Sequence, residues 1–117
     1  MEARKILGKN GEDIAVLFFK EKGYEIIERN WHCRGGEIDL IARKGNEMRF
    51  VEVKTRSNIV FGYPEESITR AKAQKMMFAM QEYLHEKQIK TYAHLDVFVV
   101  LITNTEFETK WFRDALE

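Results

Sequence analysis

Between residues 35 and 56 the chain reads GGEIDLIARKGNEMRFVEVKTR, a stretch that places Glu37, Asp39, Glu52 and Lys54 among alternating apolar residues. Carboxylates are the ligands that hard divalent cations such as Mg²⁺ prefer. An ammonium beside them can supply the counter-charge that crowded carboxylates need. Together these residue types suit a divalent-cation site. The same residues could also decorate the solvent side of an antiparallel hairpin, where charged alternation is ordinary.

The choice depends on where the elements put them. Ile38 to Ala42 and Arg49 to Val53 alternate with period two around Gly45-Asn46, which predicts two strands joined by a two-residue loop. Gly at the first loop position can take the positive φ of a type II′ turn. With that loop, Lys44 faces Glu47, Ile41 faces Phe50, Asp39 faces Glu52 and Glu37 faces Lys54, all but the first pair on one side. Ile38, Leu40, Val51 and Val53 then share the other. Facing Cβ atoms lie about 4.5–5.5 Å apart, so Asp39 and Glu52 repel and one pKa rises unless a cation intervenes.

Two features speak against simple decoration. Ile41 and Phe50 share the charged side, so something must cover part of it. Upstream, Asn10-Gly-Glu-Asp13 predicts a helix start with Asn10 as cap and Gly23 as stop. On that helix Glu12 falls on the apolar arc with Ala15, Val16 and Phe19, where an acid is rare unless paired or bound to metal.

The remaining elements follow from periodicity and turn residues. Tyr24 to Cys33 predicts a strand closed by Arg34-Gly35-Gly36. Ser57 to Tyr63 predicts a loop, and Pro64 or Ser67 can begin a helix whose apolar residues are Ile68, Ala71, Met76, Ala79, Met80, Tyr83 and Leu84, ending near Lys87. Leu95 to Ile102 predicts a strand buried on both faces, and Phe107 to Phe112 a final strand. The order α-β-β-β-α-β-β predicts an α/β fold, a mixed sheet of about five strands flanked by helices.

Composition bounds the rest. The 117 residues predict a single domain over 1–117, with 44% apolar residues and one Pro describing an ordinary globular chain. Cys33 is the one cysteine, and no apolar run is long enough for a signal peptide or membrane span, so the expectation is a cytoplasmic protein with no membrane partner. Lys plus Arg and Asp plus Glu number 19 each, which excludes a global positive field and leaves any anion-binding surface local. No zinc-type spacing exists among His32, Cys33, His85 and His94. Trp31 and Trp111 could stack bases but read first as core, and the Met76, Met77 and Met80 group reads as core packing with an exposed interface as the lesser alternative.

Asp39 followed thirteen residues later by Glu52-Val53-Lys54, with an upstream helix bearing Glu12, resembles the PD-(D/E)XK nuclease core, at a spacing similar to archaeal Holliday-junction resolvases. Gly11-Glu12, Arg29-Asn30, Gly36-Glu37-Ile38-Asp39-Leu40-Ile41-Ala42, Phe50-Val51-Glu52-Val53-Lys54-Thr55-Arg56 and Phe61-Gly62 further resemble the YraN-like uncharacterised bacterial family. Ile38 stands where the motif's name has Pro, as in many of the wider superfamily.

The resemblance implies a restriction-endonuclease-like core in which Asp39, Glu52, Lys54 and Glu12 are catalytic. Asp39 and Glu52 would bind Mg²⁺, with Mn²⁺ able to substitute. Glu12 would complete the coordination or orient a water, and Lys54 would sit at the attacking water. Glu37 either supports the ligands or pairs with Lys54. Arg34, Arg56, Lys72 and Arg70 are candidates for phosphate contacts, Arg56 and Lys72 before Arg70. The expected activity is Mg²⁺-dependent endonucleolytic hydrolysis of DNA, on branched or structured DNA by analogy. The alternative is a nucleic-acid-binding or partner-binding module on the same fold without efficient catalysis. Symmetric cutting of two strands would require a homodimer, because one site cuts one strand at a time.

Overall fold

The structure, a computed structural model, describes residues 9–56, 69–103 and 106–115. Its elements run α1 (Lys9–Glu21), β1 (Glu25–Cys33), β2 (Gly36–Lys44), β3 (Glu47–Arg56), α2 (Arg70–Glu86), β4 (Tyr92–Thr103) and β5 (Glu106–Phe112). This is the expected α/β order. The five strands lie side by side in chain order, β1-β2-β3-β4-β5. All neighbours are antiparallel except β3 and β4. A parallel pair cannot be closed by a tight turn, and α2 lies in the connection between these two strands.

Each helix covers one face of the sheet. Ala15 and Phe19 of α1 pack with Leu40, Ala42, Val51, Phe98 and Val100. Phe18, Phe19, Tyr24, Phe98 and Trp111 form an aromatic group in that layer, with ring centroids 4.8–6.1 Å apart and mostly edge-on, the arrangement that the ring quadrupoles favour. Met76, Ala79 and Tyr83 of α2 pack with Ile41, Met48, Phe50 and Leu95 on the opposite face. Each fully buried large apolar side chain contributes roughly 1.5–3 kcal/mol. β4 is buried from Leu95 to Ile102, as expected of a strand with a neighbour on each edge and a cover on each face.

Several sequence expectations are corrected here. Helix α1 already includes Lys9, so Asn10 lies inside its first turn and does not precede it. The cap of α2 is Thr69, whose Oγ1 accepts from the Lys72 N–H at 3.0 Å. The proposed loop at 57–63 and the candidates Pro64 and Ser67 fall outside the described residues. Ala71, expected on the buried face of this helix, is exposed; the buried side chains of the helix begin at Met76. Among the described residues, no helix is long and apolar enough to cross a membrane.

The hairpin follows the two-residue rule over most of its length. Gly45 has φ +60°, and pairing runs from Lys44 opposite Glu47 to Leu40 opposite Val51. There the ladder ends. Asp39 reaches across with its side chain, and Oδ2 accepts from the Val53 N–H at 2.8 Å. A carboxylate thus takes the place of a ladder carbonyl, while Gly36 to Ile38 stay paired with β1. The departure falls where β1 carries Asn30 at φ +51°, between the Arg29–Leu40 and Trp31–Ile38 pairs. Strict alternation is lost there too, since Ile38 packs with Ile41 and Phe50 and not with Leu40 and Val51.

Candidate active site

The splayed ends of β2 and β3 open a space into which the chain directs charge. Glu52, on β3, is buried to 6% exposure. Its Oε2 lies 3.1 Å from Lys72 Nζ and 3.4 Å from Lys54 Nζ. Asp39, half-buried, has its pKa pushed up to about 7, first by burial and then by the charge of Glu52; the hydrogen bond from Val53 opposes the rise without cancelling it, and Glu12 and Glu37 add to it. Lys72 is held above its ordinary value by its hydrogen bond to Glu52, which outweighs its own desolvation. Two acids close enough to perturb each other, with ammonium groups on one of them, make a site that favours added positive charge.

Glu12 arrives from the other layer. Its Oε1 accepts from Asn30 Nδ2 at 3.0 Å, so the residue with left-handed backbone at the strand distortion also holds the helix acid. Gly11 permits the approach, since a Cβ there would stand 2.0 Å from Thr55 Oγ1 on β3. On the far side, a Cβ at Gly36 would stand 2.8 Å from the Lys75 carbonyl of α2. Both helices are therefore seated against the sheet at positions where a larger residue would force them away.

Mg²⁺ commonly keeps several waters and is held by only one or two carboxylates. Asp39 and Glu52 fit that requirement by donor chemistry: two neighbouring carboxylates, the pKa of Asp39 raised first by burial and then by the charge of Glu52. Among the described residues, no three His, Cys, Asp or Glu side chains are grouped so as to hold an ion. Glu12 raises the pKa of Asp39 through its charge.

The family model described as "Uncharacterised protein family UPF0102" matches residues 11–100. The chain belongs to UPF0102. Among its relatives, a UPF0102 protein of Flavobacterium psychrophilum is 42% identical over 109 residues, covering 93% of this chain and 92% of the relative. One from Caldicellulosiruptor saccharolyticus is 48% identical over 85 residues, covering 73% and 71%, and one from Clostridium perfringens is 39% identical over 114 residues, covering 95% and 93%. The span matched to UPF0102 contains Glu12, Asp39, Glu52, Lys54 and Lys72 and stops before β5.

Of the residues singled out in the UPF0102 sequence, Asp39, Glu52, Lys54, Lys72 and Glu12 come together. Arg34 lies next to them, in a cleft of about 430 Å³ that it shares with His32, Glu37, Lys72 and Lys75. Glu37 does not face Lys54, because the ladder has ended; its Oε2 is 3.1 Å from His32 Nδ1 across the β1–β2 pair. Arg56 turns its Nη1 to the Thr55 carbonyl at 2.9 Å, and Arg70 is exposed on the first turn of α2. Asn30, Lys75 and Gly11 were not foreseen as contributors. Asn is among the few residues that tolerate a positive φ, so its place inside a strand pattern was the available signal.

Proposed function

We propose that this protein is a divalent-metal-dependent endonuclease that hydrolyses phosphodiester bonds in DNA, with branched or structured DNA as the substrate class that the resolvase resemblance suggests. Asp39 and Glu52 are the Mg²⁺ ligands, and Mn²⁺ substitutes. When bound, the ion supplies Lewis acidity at a phosphoryl oxygen and lowers the pKa of a water. Lys54, on the same strand and the same side as Glu52, contributes positive charge where negative charge develops. Glu12 biases the site towards cations and orients water from the helix side. Arg34 and Lys72 meet flanking phosphates, and the reaction takes place in the cytoplasm.

The observation that carries this reading is the raised pKa of Asp39 beside buried Glu52. Repelling acids held together at a break in a sheet are poor structural choices and good cation ligands. The second reading, a binding module without efficient catalysis, draws on a different observation: both lysines occupy Glu52. Cleavage of labelled linear, flap and four-way DNA in Mg²⁺ or Mn²⁺ separates the two. The nuclease reading expects cleavage that falls by at least about 10²-fold in Asp39→Asn and Lys54→Ala. Cleavage equal in wild type and variants, or none from any of them, removes it.

A further inference from the structure

Glu52 holds two ammonium groups that differ in what they are free to do. Lys54 sits two residues from Glu52 on the same strand with its side chain 17% exposed, whereas Lys72 reaches in from α2 with its side chain 42% exposed. Lys54 is thus confined to the site. Lys72 stands at its border, since it also lines the cleft with Arg34 and Lys75.

The position of Lys72 is not explained by helix stability. It lies in the first turn of α2, after the Thr69 cap, and that turn holds Arg70 and Lys72 with no acid. The helix dipole disfavours cations at an N-terminus. Something outside the helix must favour the charge there, and in the described structure that is Glu52, 3.1 Å away.

A divalent ion on Glu52 would repel an ammonium at that distance, since like charges a few Å apart in a partly buried site are poorly screened. Lysine carries its charge on a flexible stem and needs little backbone movement to change partner. We propose that Lys72 is an internal counter-cation that holds Glu52 in the metal-free protein and is handed to a phosphodiester anion in the Arg34–Lys75 cleft when a divalent ion replaces it. Rotation of one side chain then couples the two ligands: metal frees the lysine for phosphate, and phosphate draws the lysine off the metal ligand. By linkage the coupling is equal in both directions. Substrate binding and metal loading become one event. The inference rests on the assignment of Asp39 and Glu52 as the metal site.

The test uses the whole chain and Lys72→Ala, with Lys72→Gln as a second variant that removes the charge and keeps most of the stem. Calorimetric titration with Mn²⁺ in the absence of nucleic acid is expected to show Lys72→Ala binding about ten-fold more tightly than wild type, because the competing cation is gone. Anisotropy of a labelled four-way DNA is expected to show a loss of less than about two-fold for Lys72→Ala in EDTA and about ten-fold in Ca²⁺. A lysine that is merely structural, or merely a phosphate contact, would cost the same in both. Unchanged or weaker Mn²⁺ binding by both variants, with wild type still binding, overturns the exchange and leaves the metal site intact. Absence of Mn²⁺ binding by every protein at millimolar concentration overturns both.

Discussion

Strand β3 carries two charged groups three residues apart on opposite faces, and they are built on different rules. On the α2 face, Glu52 shares a space with Asp39 under the added fields of Glu12 and Glu37. On the α1 face, Arg49 is 2% exposed and Asp96 of β4 is fully buried, yet nearly every polar atom has a partner. Arg49 Nε donates to Glu47 at 2.8 Å and Nη1 to Asp96 at 3.1 Å. Asp96 also accepts from Trp111 Nε1 at 2.8 Å and from the Asp114 N–H at 2.9 Å. The Tyr24 hydroxyl donates to Glu47, and the guanidinium lies 5.4 Å from the centre of the Trp111 ring. Burial works against the charge on Arg49, but Glu47 and Asp96 outweigh it and hold its pKa above the ordinary arginine value. A buried charge that is paired and hydrogen-bonded on nearly every polar atom is settled within the protein; Asp39 beside Glu52 keeps a raised pKa even with two lysines on Glu52. The difference separates scaffold from site more sharply than burial or residue type does.

Substitutions on the two faces should therefore shift stability in opposite directions. The largest effect is expected from Arg49→Met, which strands Asp96 among aromatic residues and should cost about 3–5 kcal/mol, read as a fall in denaturant midpoint. A change below 1 kcal/mol would mean that the two faces do not differ as described. Asp39→Asn should instead stabilise, by about 2 kcal/mol at pH 8. Because its folded pKa of about 7 lies above the ordinary aspartate value of 3.8, the native state retains a proton that the unfolded chain loses between those values. Its contribution to stability therefore falls as pH rises from about 4 to 7 and is level above. The asparagine variant should lose that slope in thermal melts across the window. On the other face, Glu47 has a lowered pKa, first through the Tyr24 hydrogen bond, so its contribution is full at neutral pH and fades in acid.

The smallest effect is expected from Asn30→Ala. Alanine fits the left-handed backbone less well and cannot hold Glu12, so a loss of about 1 kcal/mol in stability is expected, together with a decrease of a few-fold in cleavage. Asn30→Gly keeps the backbone and removes only the side chain, so equal cleavage by the glycine variant and wild type would show that the hydrogen bond to Glu12 has no part in the site.

How much of this could be read from the sequence depended on whether the information was local. Gly45-Asn46 sets a hairpin register by turn geometry alone, and that register holds from Lys44–Glu47 to Leu40–Val51. Its extrapolation failed from Asp39–Glu52 onward, because the ladder ends at Leu40 and Val51, beside the left-handed Asn30 of the neighbouring strand; Asp39 meets Glu52 through its charge and not as a ladder pair. Glu12 was legible from helical periodicity, since one acid stood on an apolar arc. Arg49 and Asp96 were not. Arg49 stood in an alternating strand pattern and Asp96 inside the strand predicted from Leu95 to Ile102; their meeting depends on the parallel register of β3 and β4, in which Asp96 lies opposite Val51. No short-range rule supplies the register of two strands separated by a helix.

That one parallel seam also orders events in time. The three strands from Glu25 to Arg56 pair through turns and can form from neighbouring chain, whereas β3 meets β4 only after the whole of α2 has been crossed. Contacts distant in sequence form late, because loop closure must precede them. During folding, Asp39 and Glu52 would thus sit on a hairpin still open to water, which screens their repulsion, and the low-dielectric environment that sharpens it would arrive with β4. Arg49 and Asp96 are the charge pair across the closing seam. Stopped-flow refolding of an Asp96→Asn variant is expected to report a slower closing step than that of Asp39→Asn, with the candidate site becoming chemically tense only once the rest of the molecule is secure.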